Sequence, residues 1–232
     1  MQELLRQHNA ITEARYEMSA LEKNIVYMLL ASLRQKSISL RQCHYRISLK
    51  ELNRRMGAET TVGELMEASQ KLLSRVYTII EEDGAELHTS LVSSISNMPD
   101  EEIEIGISSM MMPYLIALRE YTEFDLDTAL SLKSAYSKRI YEMLSQHIEA
   151  GELYISVEEL KWRLALCDPK AGTEKYASWA AFRKAVLEGP QQELAQKSKL
   201  HFNYEAIKTG KRYTHLLFRI RSAKPQLRAS AL

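Results

Sequence analysis

The stretch ISVEELKWRLAL, residues 155–166, restates an earlier one, ISLKELNRRMG, residues 47–57, at an offset of 108 residues. Ile, Ser, an aliphatic residue, Glu and Leu recur in order, and a basic residue follows three positions after the Leu, Arg55 and Arg163. In each copy a serine, Ser48 or Ser156, stands where it can cap a helix. Glu51 and Glu159 lie three positions further on, the spacing of a capping box. Each copy therefore reads as a short strand running into a capped helix.

The surroundings repeat as well. Before the copies lie SALEKNIVYMLLASLRQ, residues 19–35, and SLKSAYSKRIYEMLSQHIEAG, residues 131–151. Ile25, Met28, Leu29 and Leu33 fall on one face of a helix in the first, and Ile140, Met143, Leu144 and Ile148 in the second. After each copy a further helix is expected, over 62–76 and over 179–196. A hairpin follows each: YTIIEEDGAELHTSLVSSI, turning near Asp83-Gly84, and LHFNYEAIKTGKRYTHLLFRI, turning at Gly210, since glycine accepts the positive φ of a tight turn.

Helix, short strand, capped helix, turn, helix and hairpin, in that order, make a winged helix-turn-helix. The chain thus reads as α+β, mostly helical, with two tandem winged-helix domains. Residues 1–124 would be the N-terminal domain and residues 125–232 the C-terminal one. Only the polarity of REYTEFDLDT, residues 119–128, marks the join, so the two units are expected to pack together.

The chain has 232 residues, 45% of them hydrophobic, and no apolar run long enough to span a bilayer. Its start lacks the apolar core of a signal peptide. Cys43 and Cys167 stand apart from each other and from any metal-ligand spacing, as reduced thiols of a cytoplasmic protein do. The net charge of +1 is unevenly spread: residues 161–228 carry 15 basic and 5 acidic residues. A basic half of this kind suits a polyanion, although a solvated charged face is the plainer explanation.

Catalytic chemistry has no recognisable motif. There is no Walker-type loop, G-x-G-x-x-G, H-E-x-x-H or C-x-x-C. The six histidines form no H-x-H or H-x-x-x-H pair to seat a metal, and no cofactor is expected. His201 and His215 flank the second hairpin's turn and could face each other across it. Twelve tyrosines offer nucleophiles for a DNA-nicking enzyme, but the metal-binding histidine pair of such enzymes is missing.

DNA contact has clear candidates. A groove-reading helix reaches base edges near its N-terminus. In YASWAAFRKAVLEG, Ser178 can cap, while Arg183 and Lys184 point away from Phe182, Val186 and Leu187. Arg183 is the choice for base reading and Lys184 for phosphate. Gly189-Pro190 should bend or break this helix near Leu187–Gly189. Lys208, Lys211 and Arg212 sit at the second wing's tip, where they would lie along phosphates. The first wing's tip, EEDGAE, would be repelled there, leaving Lys71, Arg75 and, less directly, Arg54 and Arg55. Met110, Met111 and Met112 suit either core packing or a partner surface.

At these residues the chain resembles the plasmid replication initiators that bind iterons, the short direct repeats of plasmid origins. NAITEARYEMSALEKNIVYMLL, MMPYLIALREYTEFDL, LKSAYSKRIYEMLSQHIEAGELYISVEEL and FRKAVLEGPQQEL with the following wing carry the likeness, over about residues 8–221. The third segment is the most specific, close to the family's Tyr-Ser-x-Arg-Leu-Tyr-Glu-x-Leu. The family usually has Pro where this chain has Gly189.

The resemblance implies two tandem winged helices. It implies monomers that bind double-stranded DNA at origin direct repeats and open the origin for host replication proteins (initiator and helicase). It also implies dimers, joined through the first domain, that bind an operator inverted repeat and repress their own gene. By position the family's recognition helix falls on Phe182–Leu194 and its basic pair on Arg183 and Lys184. Lys138 and Arg139 of the second long helix join the candidate DNA contacts; Arg139 would touch phosphate or brace the helix. The competing readings are a winged-helix repressor that never opens DNA, a nicking enzyme, and a pure protein-interaction module.

Overall fold

The computed structural model describes residues 3–35, 44–116, 120–168 and 171–222. Cys43 and part of the expected join lie outside them.

The first half runs β1 (Leu4–His8), α1 (Asn9–Glu13), α2 (Ala20–Gln35), β2 (His44–Ser48), α3 (Leu49–Met56), α4 (Val62–Leu72), β3 (Val76–Ile80), β4 (Glu86–Ser90), β5 (Val92–Met98), β6 (Glu102–Ile107) and α5 (Met112–Ile116). The second runs β7 (Tyr121–Asp125), α6 (Leu126–Ser131), α7 (Ala135–Gln146), β8 (Glu152–Ser156), α8 (Val157–Arg163), β9 (Cys167–Asp168), β10 (Thr173–Glu174), α9 (Trp179–Phe182), α10 (Gly189–Lys197), β11 (Leu200–Thr209) and β12 (Arg212–Ser222).

The repeated motif lands in equivalent places. β2 ends at Ser48 and β8 at Ser156, and α3 and α8 follow directly. Ser156 caps α8 through the Glu159 amide at 2.9 Å. Ser48 makes no side-chain cap bond; Glu51 turns instead to Arg54 and Arg55. The complete capping box of the first half is one helix later, where Thr61 and Glu64 close the start of α4.

Strand order corrects one expectation. In the second half β12 lies between β11 and β8, with Leu216 opposite Ile155. In the first half the same arrangement is β5–β6–β2, with Tyr45 opposite Ile105. The first wing is therefore β5–β6, and the hairpin expected to be the wing, β3–β4, is an insertion that among the described residues pairs only with itself apart from a bridge between Arg15 and Thr78. Alternation in VSSISNM is weak because serines fill its exposed positions, so the strand is hard to see in sequence. The true tip, Pro99-Asp100-Glu101, is acidic too, and Asp100 and Glu101 turn the chain at positive φ.

The repeat also reaches further back than the sequence suggests. β1 and β7 pair with each other antiparallel, Leu4 opposite Asp125 and His8 opposite Tyr121. Each then starts a helix: His8 accepts from the Ala10 amide and Asp125 from the Thr128 amide. The halves are joined at this shared two-stranded sheet.

Among the described side chains neither long helix has an open face. α2 buries Lys23, Asn24, Ile25, Val26, Tyr27, Leu29 and Leu30, and α7 buries every residue from Ser137 to Ser145. A helix covered all round lies inside the protein, whatever its polar residues suggest. α7 packs against α1 and α2 as well as against α10 and β7. Met111 and Met112 are in the core, and Met110 is exposed. Among the described residues no helix is long and apolar enough to cross a membrane.

Candidate nucleic-acid interface

The second helix of the C-terminal winged helix begins at Ser178, whose hydroxyl accepts from the Ala181 amide at 3.2 Å. Phe182, Val186 and Leu187 are fully buried, so the opposite face, with Ala181, Arg183 and Lys184, is open. Arg183 is half exposed and leans on Glu188 at 3.1 Å. Lys184 has no carboxylate partner among the described residues.

The expected bend takes a different form. Residues Arg183–Glu188 form a π turn between α9 and α10, and the Gly189 amide donates to the Lys184 carbonyl. Pro190 has no N–H to offer the Val186 carbonyl, so a continuous α-helix would leave that acceptor empty. Widening the preceding turn absorbs the mismatch without ending the helix. The disturbance thus starts at Arg183, and the basic pair sits on the widened turn itself.

The wing is fixed to this helix. Gln191 donates to the Phe202 carbonyl at 2.9 Å and to Asn203 at 3.2 Å. Tyr204 on β11 lies near Arg183 and Glu188; burial first, then the Glu188 charge, raise its hydroxyl pKa. Trp179, first residue of the helix, stacks on Tyr213 of β12 with ring centroids 4.1 Å apart and planes 18° from parallel. The Lys208 ammonium lies 4.5 Å above the same Tyr213 ring. Lys211 and Arg212 are exposed at the tip, which turns at Gly210 with φ 64°. No carboxylate pairs with Lys208, Lys211 or Arg212 among the described residues. Trp179 and Tyr213 escaped the sequence reading, although one begins the recognition helix and the other adjoins the wing tip.

Lys138 and Arg139 are elsewhere. Lys138 is fully buried and donates to Asn24 Oδ1 at 2.6 Å and to the carbonyls of Ala129 and Leu130. It closes the end of α6 and ties it to α2. Arg139 donates to the Thr12 and Ala14 carbonyls, both at 3.0 Å, to Tyr16 and to Glu142. Both bases are used up inside the protein, so neither is a surface for DNA. For Arg139 the bracing alternative holds.

Among the described residues the first half presents little free positive charge. Lys71 is exposed but paired with Glu67 at 2.7 Å. Arg75 is directed inward, with Nε and Nη2 at 2.9 and 3.1 Å from the buried Glu22 carboxylate. Arg55 is held by Glu3, Glu51 and Asp127, and Arg54 by Glu51. His201 and His215 do not face each other: His201 is opposite Arg221, and His215 stacks on the exposed Tyr154. Among the described residues no group of three His, Cys, Asp or Glu side chains could hold a metal ion.

An exposed cationic helix face locked to a cationic wing lies on the second of two winged helices, so the chain is a tandem winged-helix protein. The model for "Initiator Replication protein, WH1" matches residues 4–145, and that for "Initiator Rep protein, WH2" matches residues 156–220. The chain belongs to this Rep3 family of initiator replication proteins. A replication initiation protein of Escherichia coli is 22% identical over 172 residues, 68% of this chain and 53% of that protein. The chain thus spans about half the length of the curated relative it matches. The solved structure of the Pi initiator protein in complex with iteron DNA superimposes with a TM-score of 0.79 at 21% identity, over 94% of this chain and 97% of that one. Domains 2 and 3 of RctB do so with a TM-score of 0.51 at 10% identity, over 89% and 83%.

Proposed function

We propose that this protein initiates plasmid replication by sequence-specific binding to double-stranded DNA at origin direct repeats, without catalysing a reaction. One observation carries the reading: the helix that bears Arg183 and Lys184 on its open π turn packs directly against the wing that bears Lys208, Lys211 and Arg212. A helix lying in the major groove would then bring the wing onto the adjoining backbone. Arg183 reads a base, a role suited to its fork of donors, and the lysines neutralise phosphate. The likeness in fold to an initiator solved on iteron DNA supports this choice over a generic winged helix.

In this reading residues 125–232 are the main DNA-binding unit. Residues 1–124 supply dimerisation and an accessory DNA contact. The paired state of Lys71 and Arg75 makes that contact weak, and the exposed apolar side chains of Leu73, Val76 and Ile80 favour protein contact there. Monomers occupy direct repeats and engage host initiator and helicase in the cytoplasm. Dimers repress the protein's own gene at an inverted repeat. The test is binding to the repeat-containing DNA flanking the gene, with stoichiometry read across a salt series. One protomer per direct repeat with a steep salt slope is expected. Dimers on an inverted repeat alone would indicate a repressor instead.

A further inference from the structure

We infer that Tyr213 and Trp179 are positioning residues for DNA binding, their stack holding Lys208 and the wing at a fixed angle to the recognition helix. The inference rests on the DNA-reading role proposed above. Its basis is an irregularity in the wing. Along β12, Leu216, Phe218 and Ile220 are buried against the helices, so strict alternation would place Thr214 on that face and Tyr213 on the outer one with His215. The pairing breaks this rule. Ile207 is opposite His215, yet Lys208 is opposite Tyr213, leaving Thr214 as an extra residue. A bulge re-aims the side chains beyond it. Tyr213 is thereby brought to the helix side, where it meets Trp179, and Lys208, its cross-strand neighbour, lies over its ring. Thr214 fills the bulge by pairing its hydroxyl with Thr209 at 3.0 Å and with His215 Nδ1 at 3.1 Å.

Placement argues for orientation over mere stability. Trp179 and Tyr213 are only half-buried, at the end of the wing nearest its exposed tip, whereas the core of the same sheet is closed by Phe202 and Phe218. Stacked rings with few rotatable bonds make a stiff spacer. A lysine resting on the ring keeps its charge while losing freedom it would otherwise lose on binding.

The test uses the full chain and two duplexes of equal length, one carrying the direct repeats flanking the gene and one of random sequence. Lys208→Ala is expected to lower the slope of log K against log salt by about one, the loss of one phosphate contact. Tyr213→Ala should lower it by the same amount although Lys208 remains, and the double variant should lower it no further. Tyr213→Phe, which keeps ring and stack, should restore the wild-type slope. If Tyr213→Ala does not fold, Tyr213→Leu retains apolar bulk without a flat ring and should show the same loss. A folded Tyr213→Ala or Tyr213→Leu protein with the full slope, or losses that add in the double variant, would overturn the positioning role alone. A wild-type protein with no preference for the repeats would overturn the proposed function and this role with it.

Discussion

Lys23 of the first half and Glu142 of the second meet 2.5 Å apart with neither side chain open to solvent. The Glu142 carboxylate also accepts from Tyr27 at 2.7 Å, Arg139 at 2.8 Å and Tyr16 at 3.2 Å. Burial alone would raise its pKa, but Lys23 and Arg139 outweigh that and hold it below the ordinary carboxylate value. α2 and α7 therefore share one polar centre, and their relative placement depends on it.

Removing one partner of a buried ion pair leaves the other charge uncompensated. Glu142→Gln should cost about 3–5 kcal/mol in denaturant unfolding for that reason. Replacing Lys23 and Glu142 together with apolar residues of similar size should recover much of the loss. A cost below about 1 kcal/mol for Glu142→Gln would mean that water reaches the site in solution.

The same centre sets a pH dependence. Burial first, then the charge of Lys23, lowers the Lys138 ammonium to about 7; Glu193 and Glu142 oppose this and Lys197 adds to it. Burial lowers Lys23 to about 8, with Glu142 opposing. Their unfolded values are near 10.4. Between about pH 7 and 10 the unfolded chain binds more protons, so stability rises with pH. Tyr16 and Tyr27, raised chiefly by burial, reverse the trend above about 10, where the unfolded chain alone loses their protons. Unfolding free energy measured from pH 7 to 9 should climb in the wild type and climb less in Lys138→Met. Equal slopes would place the Lys138 proton elsewhere.

The repeated Ile-Ser…Glu-Leu motif was legible because strand alternation and a serine at a helix start are local signals, and it marks where β2 gives way to α3 and β8 to α8. The pairing of β1 with β7 was not, since strands more than 110 residues apart carry no local sign of each other. Lys138 and Arg139 read as surface cations because Ile140, Met143 and Leu144 define one apolar face. The other face is covered by residues of α1 and α2, a tertiary fact. Of the candidate interface, the cations at 183, 184, 208, 211 and 212 could be read from charge and spacing. The π turn that presents the first two could be seen only as a proline problem, and the bulge that turns Tyr213 could not be seen at all.

Lys211, exposed at the wing tip, should act through charge alone. Lys211→Ala is expected to weaken binding to all duplexes alike and lower the salt slope by about one. An unchanged slope would place the tip away from the backbone.

The central claim is that the helix carrying Arg183 reads bases. The most direct measurement compares Arg183→Ala with wild type on the repeat duplex and on random DNA at one salt concentration. A loss of about 1–3 kcal/mol on the repeat, relaxed choice at one base position and little change on random DNA are predicted. Equal losses on both duplexes would contradict the claim and reduce Arg183 to a backbone contact.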